Sequence, residues 1–137
     1  MKTIILYITI LGSFIGFSQE SISKLLEKQN HGNVPYITVQ ELAMPKTNAL
    51  ILDAREALEY NTSHIENAVF VGYDTFNIDS VKSMLLNKEE KIVVYCSVGI
   101  RSEKIAKQLK KVGYMNVYNL YGGIFQWKNN GFKVYNY

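Results

Sequence analysis

The chain has 137 residues and a single cysteine, Cys96, and the residues that follow it have the types an activated sulfur needs. The segment reads Tyr95-Cys96-Ser97-Val98-Gly99-Ile100-Arg101-Ser102. Backbone N–H groups of residues 96 to 101 can wrap around the sulfur as an anion nest. A helix starting there adds the positive end of its dipole. Arg101 contributes a full charge and a planar fork of donors, and Gly99 permits the backbone angle the turn needs. These features favour thiolate over thiol. The alternative is a small buried hydrophobe after an apolar strand, but the Cys-x-x-Gly-x-Arg spacing at a strand-to-helix turn argues for a nucleophile in an anion cradle. In that reading Cys96 is catalytic, Ser97, Val98, Gly99, Ile100 and Arg101 bind substrate, and Ser102 supports them.

Other cysteine chemistries fall away. One cysteine makes no intrachain disulfide, and with two histidines a Cys/His zinc site is nearly excluded. No metal or organic cofactor is expected. The net charge of +3 is mild and no basic run exceeds Lys110-Lys111, so nucleic acid is a poor partner. With 47% hydrophobic residues the chain is globular, of one-domain length.

The elements that must position Cys96 alternate. Lys91 to Tyr95 is the strongest strand, and Ala49 to Asp53 is a continuous apolar run of the kind buried on both faces of a parallel sheet. Tyr36 to Thr38, Ala68 to Val71 and Val117 to Leu120 are further strands. Helices are predicted over Ser21 to Gln29, through Leu42 with a Thr38/Glu41 capping box, and over Glu56 to Tyr60. Others run from an Asp79 cap to Leu86, from Ser102 to Val112 with Gly113 as the stop, and from Gly122-Gly123 to Lys128. This is an α/β pattern with a central, mostly parallel sheet flanked by helices. Ligands of such sheets bind beyond the carboxyl ends of strands, which is where Cys96 falls.

At this point the chain resembles a family. The Cys96 segment looks like the active loop of single-domain rhodaneses. Leu52-Asp53-Ala54-Arg55 with Glu59-Tyr60 and His64-Ile65-Glu66-Asn67-Ala68 is similar to the family's first signature. Gly122-Gly123 with Trp127 and Gly131 resembles its closing one. Ser63 and Lys133 depart from the usual glycine and proline. The resemblance implies a three-layer rhodanese-like domain over residues 35–137. It also implies a sulfurtransferase that moves a sulfane sulfur, through a Cys96 persulfide, from a donor such as thiosulfate to cyanide or a thiol. It makes Asp53 and Arg55 a polar network under the loop and His64 mainly structural.

Two further readings belong to other classes. The domain could instead be a non-catalytic or partner-dependent sulfur carrier that docks an exported protein. A phosphatase or arsenate reductase ranks last, because four residues separate Cys96 from Arg101 where the Cys-x5-Arg enzymes have five. Lys104, Lys107, Lys110 and Lys111 read as a solvated helix face that can raise the local positive potential. Trp127 and the ten tyrosines read as core and rim residues.

The first eighteen residues read as an address. Lys2 is followed by an uncharged run, Thr3 to Phe17, about 22 Å as a helix and short of the roughly 30 Å hydrocarbon core. Gly16 and Ser18 suit cleavage after Ser18; an uncleaved anchor is the alternative. The expectation is thus a signal peptide over residues 1–18, a helical lead-in over 19–34, and an exported monomer, periplasmic with secretion as the alternative, without a membrane span after cleavage.

Overall fold

In the computed structural model, residues 21–25 and 33–136 are described. The chain divides into two units, Met1–His31 and Gly32–Tyr137. In the first, residues 21–25 are helical (α1). The address and the rest of the Ser21 to Gln29 helix lie outside the described residues. Among the described residues no helix is long and apolar enough to cross a membrane.

The second unit is organised by the apolar run before Cys96. It forms β5 (Ile92–Tyr95), all four residues of which are buried. Successive side chains of a strand point to opposite faces, so β5 feeds two cores. Ile92 and Val94 pack with Leu52, Ile105, Ala106 and Leu109. Val93 and Tyr95 pack with Ile37, Leu120, Ile124 and Trp127. Each fully buried Leu or Ile contributes about 1.5–3 kcal/mol.

The main sheet has five strands, β1 (Tyr36–Ile37), β2 (Leu50–Asp53), β4 (Val69–Phe70), β5 and β6 (Val117–Leu120), in the order β1-β6-β5-β2-β4. Every pairing in it is parallel. On one face lie α4 (Ile78–Met84) and α5 (Ile100–Lys111). On the other lie α2 (Val39–Ala43) and α6 (Gly123–Asn129). This is the three-layer α/β arrangement expected. The connection α3 (Ala57–Thr62) follows β2.

Local chemistry sets the helix starts. Thr38 Oγ1 accepts from Glu41 N–H at 3.1 Å and opens α2. A 3-10 turn, Pro45–Thr47, follows it. Glu56 caps α3 in a full capping box closed by Glu59. The α4 cap was expected at Asp79; it is Asn77, whose Oδ1 accepts from both Asp79 and Ser80 N–H groups. That helix also ends at Met84, short of Leu86.

One feature was not anticipated. β3 (Ser63–Ile65) and β7 (Val134–Asn136) pair antiparallel in a second, small sheet. It ties the chain's end to the segment after α3.

Candidate active site

Cys96 leaves the carboxyl end of β5, the middle strand, with β2 on one side and β6 on the other. The loop that follows is fastened by its carbonyls. Ile124 N–H donates to Cys96 O at 3.0 Å and Phe125 N–H to Ser97 O at 3.1 Å. These are N–H groups of the first turn of α6, which has no intrahelical acceptors for them. The approach is close enough that a Cβ on Gly123 would sit 2.4 Å from Cys96 O. Glycine is required there. With those two carbonyls held by α6, the loop turns back so that the Gly99 N–H faces the sulfur.

Two donors reach it. Gly99 N–H lies 3.1 Å from Cys96 Sγ, and Ser102 Oγ lies 3.3 Å away. Gly99 makes this turn at φ +117 and caps the twelve-residue α5, whose dipole points its positive end at the site. Of the N–H groups expected to wrap the sulfur, Gly99's makes the hydrogen bond. Val98 and Ile100 are half-buried beside it. Cys96 itself is 1% exposed, so a reactant must bring a slender, protruding atom to it. Beneath, Ser102 Oγ lies 2.6 Å from Asn119 Oδ1, and Asn119 Nδ2 donates to Gly99 O at 2.9 Å. Asn119 and Ser102 are fully buried.

Arg101 does not point a free charge at the loop. Its Nη1 and Nη2 donate to Glu59 Oε1 and Oε2 at 2.7 and 3.0 Å, a bidentate pair. Nη2 also donates to Ser97 Oγ at 2.8 Å, and Ser97 in turn donates to Glu59 Oε2 at 3.1 Å. The Arg101 hydrogen bonds hold the Glu59 carboxyl down at about 2, and those from Glu56 N–H and Ser97 help, against a burial penalty. Arg101 is raised in turn, chiefly by Glu59. Arg101 thus brings a full charge to the loop, and Glu59 on α3 supplies its counter-charge.

Asp53 and Arg55 form a buried polar network, but it lies at the strand ends and does not touch the loop that the resemblance had it support. Arg55 Nη2 donates to Asp53 Oδ2 at 2.8 Å and to Ser63 O at 2.7 Å. Tyr95 O–H donates to Asp53 Oδ2 at 2.5 Å and accepts from Ile65 N–H. Burial, and then the charge of Asp53, push the Tyr95 phenol far above its ordinary range. Burial works against the Arg55 charge, but Asp53 prevails and raises it. These bonds join β2, β3 and the last residue of β5. They fix the strand end rather than the loop atoms.

Residues 38–130 match the rhodanese family, described as the rhodanese-like domain. The chain belongs to the rhodanese-like family. The thiosulfate sulfurtransferase of Pseudomonas aeruginosa is similar in structure, with TM-score 0.68 and 25% identity; the match covers 82% of this chain and 22% of that one. The rhodanese-like domain protein of Staphylococcus aureus gives TM-score 0.60 at 29% identity, covering 69% and 91%. Among curated proteins, the tRNA uridine(34) hydroxylase of Escherichia fergusonii is 34% identical over 104 residues, 74% of this chain. The match spans only 30% of that relative's length.

Within the rhodanese-like domain the remaining candidates take structural places. His64 is buried, stacks on Tyr60 at 3.9 Å, and sets Nδ1 2.9 Å from Tyr60 O, a carbonyl that can only accept. Lys107 pairs with Glu103, and Lys110 donates to Asn33 O. Trp127 sits in the core and donates to Lys133 O. Two residues of the site were not singled out from sequence. Glu59 lies in the rhodanese-like signature but gives no local sign of its partner 42 residues away. Asn119 does give one, as a polar residue in phase with Val117 inside an apolar strand.

Proposed function

We propose that this rhodanese-like domain is a sulfurtransferase that carries a sulfane sulfur on Cys96. What supports it is the placement of Sγ: buried, held by the Gly99 N–H, at the start of a short loop whose Cys96 and Ser97 carbonyls are taken by α6. A ring this tight accommodates one transferred atom better than a tetrahedral phosphate.

The chemistry is a two-step covalent exchange. Cys96 releases its proton to solvent water, and the thiolate attacks the outer sulfur of the donor. The new S–S bond forms as the donor's own sulfur bond breaks, and the leaving group departs with that electron pair; from thiosulfate it is sulfite. An acceptor nucleophile then attacks the terminal sulfur of the persulfide. With cyanide the product is thiocyanate, and the thiolate is restored. The Gly99 N–H, already on Sγ, supports the sulfur side of this exchange.

Glu59 shapes the choice of donor. It matches the charge of Arg101, so the dianion thiosulfate meets no free loop cation. A persulfide on a small thiol or on a protein suits this site better. That same observation supports a second reading, in which the domain carries or displays sulfur for one partner protein. Reading residues 1–18 as a signal peptide supports a periplasmic setting for either activity. From the relatives named tRNA uridine(34) hydroxylase we carry over the domain and not the hydroxylation.

Thiocyanate formation from cyanide tests the proposal, with thiosulfate and a glutathione persulfide as parallel donors. Turnover that Cys96→Ser abolishes is expected, faster with the persulfide. No turnover with either donor, and none restored by a co-purified partner, overturns it.

A further inference from the structure

We propose that Asn119 is a positioning residue that competes with Cys96 for the single hydrogen of the Ser102 hydroxyl, and so opposes formation of the free thiolate. The orientation of Asn119 is fixed by its neighbours. Gly99 O can only accept, so the amide nitrogen faces it at 2.9 Å and the carbonyl oxygen must face Ser102 at 2.6 Å. Ser102 Oγ therefore sits between two acceptors, Asn119 Oδ1 and, 3.3 Å away, Cys96 Sγ. A hydroxyl has one hydrogen and two lone pairs. It serves one acceptor at a time.

The arrangement treats the states of the sulfur differently. A Cys96 thiol donates to Ser102 Oγ while Ser102 donates to Asn119 Oδ1, and every group is satisfied. A thiolate has lost its hydrogen and needs donors. Gly99 N–H remains, but the Ser102 hydrogen reaches the sulfur only by abandoning Oδ1, and that oxygen belongs to a side chain with no exposure to water. An unpaired buried acceptor is costly. Once Cys96 carries a second sulfur, Sγ is a neutral, weak acceptor; Ser102 returns to Asn119. On the sulfur-transfer reading, Asn119 thus favours the loaded state over the empty thiolate.

The charged groups around the sulfur stay constant in this comparison. On α5 and α3 they are Arg101, Glu59 and Glu56, of which the first two are paired. At the end of β2, Asp53 is paired with Arg55. β6 brings Asn119 and the start of α6 brings Gly122 and Gly123, none of them ionisable.

The test is the pH dependence of iodoacetamide alkylation of the full chain, where one cysteine makes labelling unambiguous. Asn119→Ala should move the midpoint of the profile to lower pH by about one unit, the tenfold effect of a charge-assisted hydrogen bond gained by the thiolate. Ser102→Ala should move it up, and the double variant should coincide with Ser102→Ala, because Asn119 acts through Ser102. Asn119→Leu repeats the test with the volume kept if the alanine variant folds poorly. An Asn119 shift of equal size with and without Ser102, or no shift in either variant, overturns the proposal. Alkylation needs no sulfur donor, so this outcome is separate from the fate of the sulfur-transfer reading.

Discussion

Glu59 on α3 and Arg101 at the start of α5 are joined by two hydrogen bonds, 2.7 and 3.0 Å, across 42 residues of sequence. The same Glu59 accepts the Glu56 N–H that starts its own helix. One carboxylate therefore ends the connection from β2 and anchors the far side of the Cys96 loop.

Removing that charge should change which donors the site accepts. Glu59→Gln leaves Arg101 uncompensated near Cys96 and keeps most of the side-chain volume. The KM for thiosulfate should fall about two- to five-fold, the range of a partly exposed ion pair. The KM for a monoanionic persulfide donor should move less. Steady-state kinetics with both donors checks this, and equal changes for the two would show that Glu59 does not select by charge.

The same pair has an acid signature. The Glu59 carboxyl lies at about 2, below its ordinary 4.5. A depressed carboxyl stabilises the fold above its unfolded value and loses that stabilisation as pH falls through the folded one. With the Glu59 side chain 35% exposed, screening limits the contribution to about 1 kcal/mol. Urea unfolding of wild type and Glu59→Gln should differ by that amount at neutral pH, and the two should converge between pH 4.5 and 2.

Two glycines with positive φ separate strain from contact. Gly131 has φ +75 and open space around its absent Cβ. Gly131→Ala should cost about 1–2 kcal/mol, the left-handed penalty alone. Gly123, at φ +57, would drive a Cβ to 2.4 Å from Cys96 O and 2.5 Å from Ser97 O. Gly123→Ala should destabilise further and slow Cys96 alkylation more than tenfold, whereas Gly131→Ala leaves alkylation unchanged. Thermal unfolding beside alkylation rates distinguishes the two.

Arg55 and Tyr95 predict a stability ranking. Arg55→Met leaves Asp53 charged and buried with its main partner gone, a loss of about 3–5 kcal/mol. Tyr95→Phe removes one donor to Asp53 and one acceptor for Ile65 N–H, costing about 1–3 kcal/mol. His64→Phe should leave sulfur transfer intact, since its ring stacks in the core. Denaturant midpoints with an activity assay check all three.

Much of this was legible because it is written locally. The apolar run before Cys96, the glycine three residues after it and the alternation of strands and helices fix β5, its loop and the parallel sheet. The Gly122-Gly123 pair was visible too, although its purpose, room for the Cys96 and Ser97 carbonyls, appears only in space. What was missed depends on distant partners. β3 and β7 are three residues each and pair about seventy positions apart, so neither carries a strand's pattern alone. The partner of Arg101 was not legible because Glu59 lies on another helix, 42 residues away. Asn77 was passed over for Asp79 because both residue types cap helices, and only the backbone path selects between them.

The central claim is that Cys96 holds a transferred sulfur, and intact-protein mass spectrometry after incubation with a persulfide donor tests it most directly. The expected result is a gain of one sulfur, located on Cys96, lost on adding cyanide with release of thiocyanate, and absent in Cys96→Ser. An unchanged mass, or a sulfur that persists in Cys96→Ser, would contradict it.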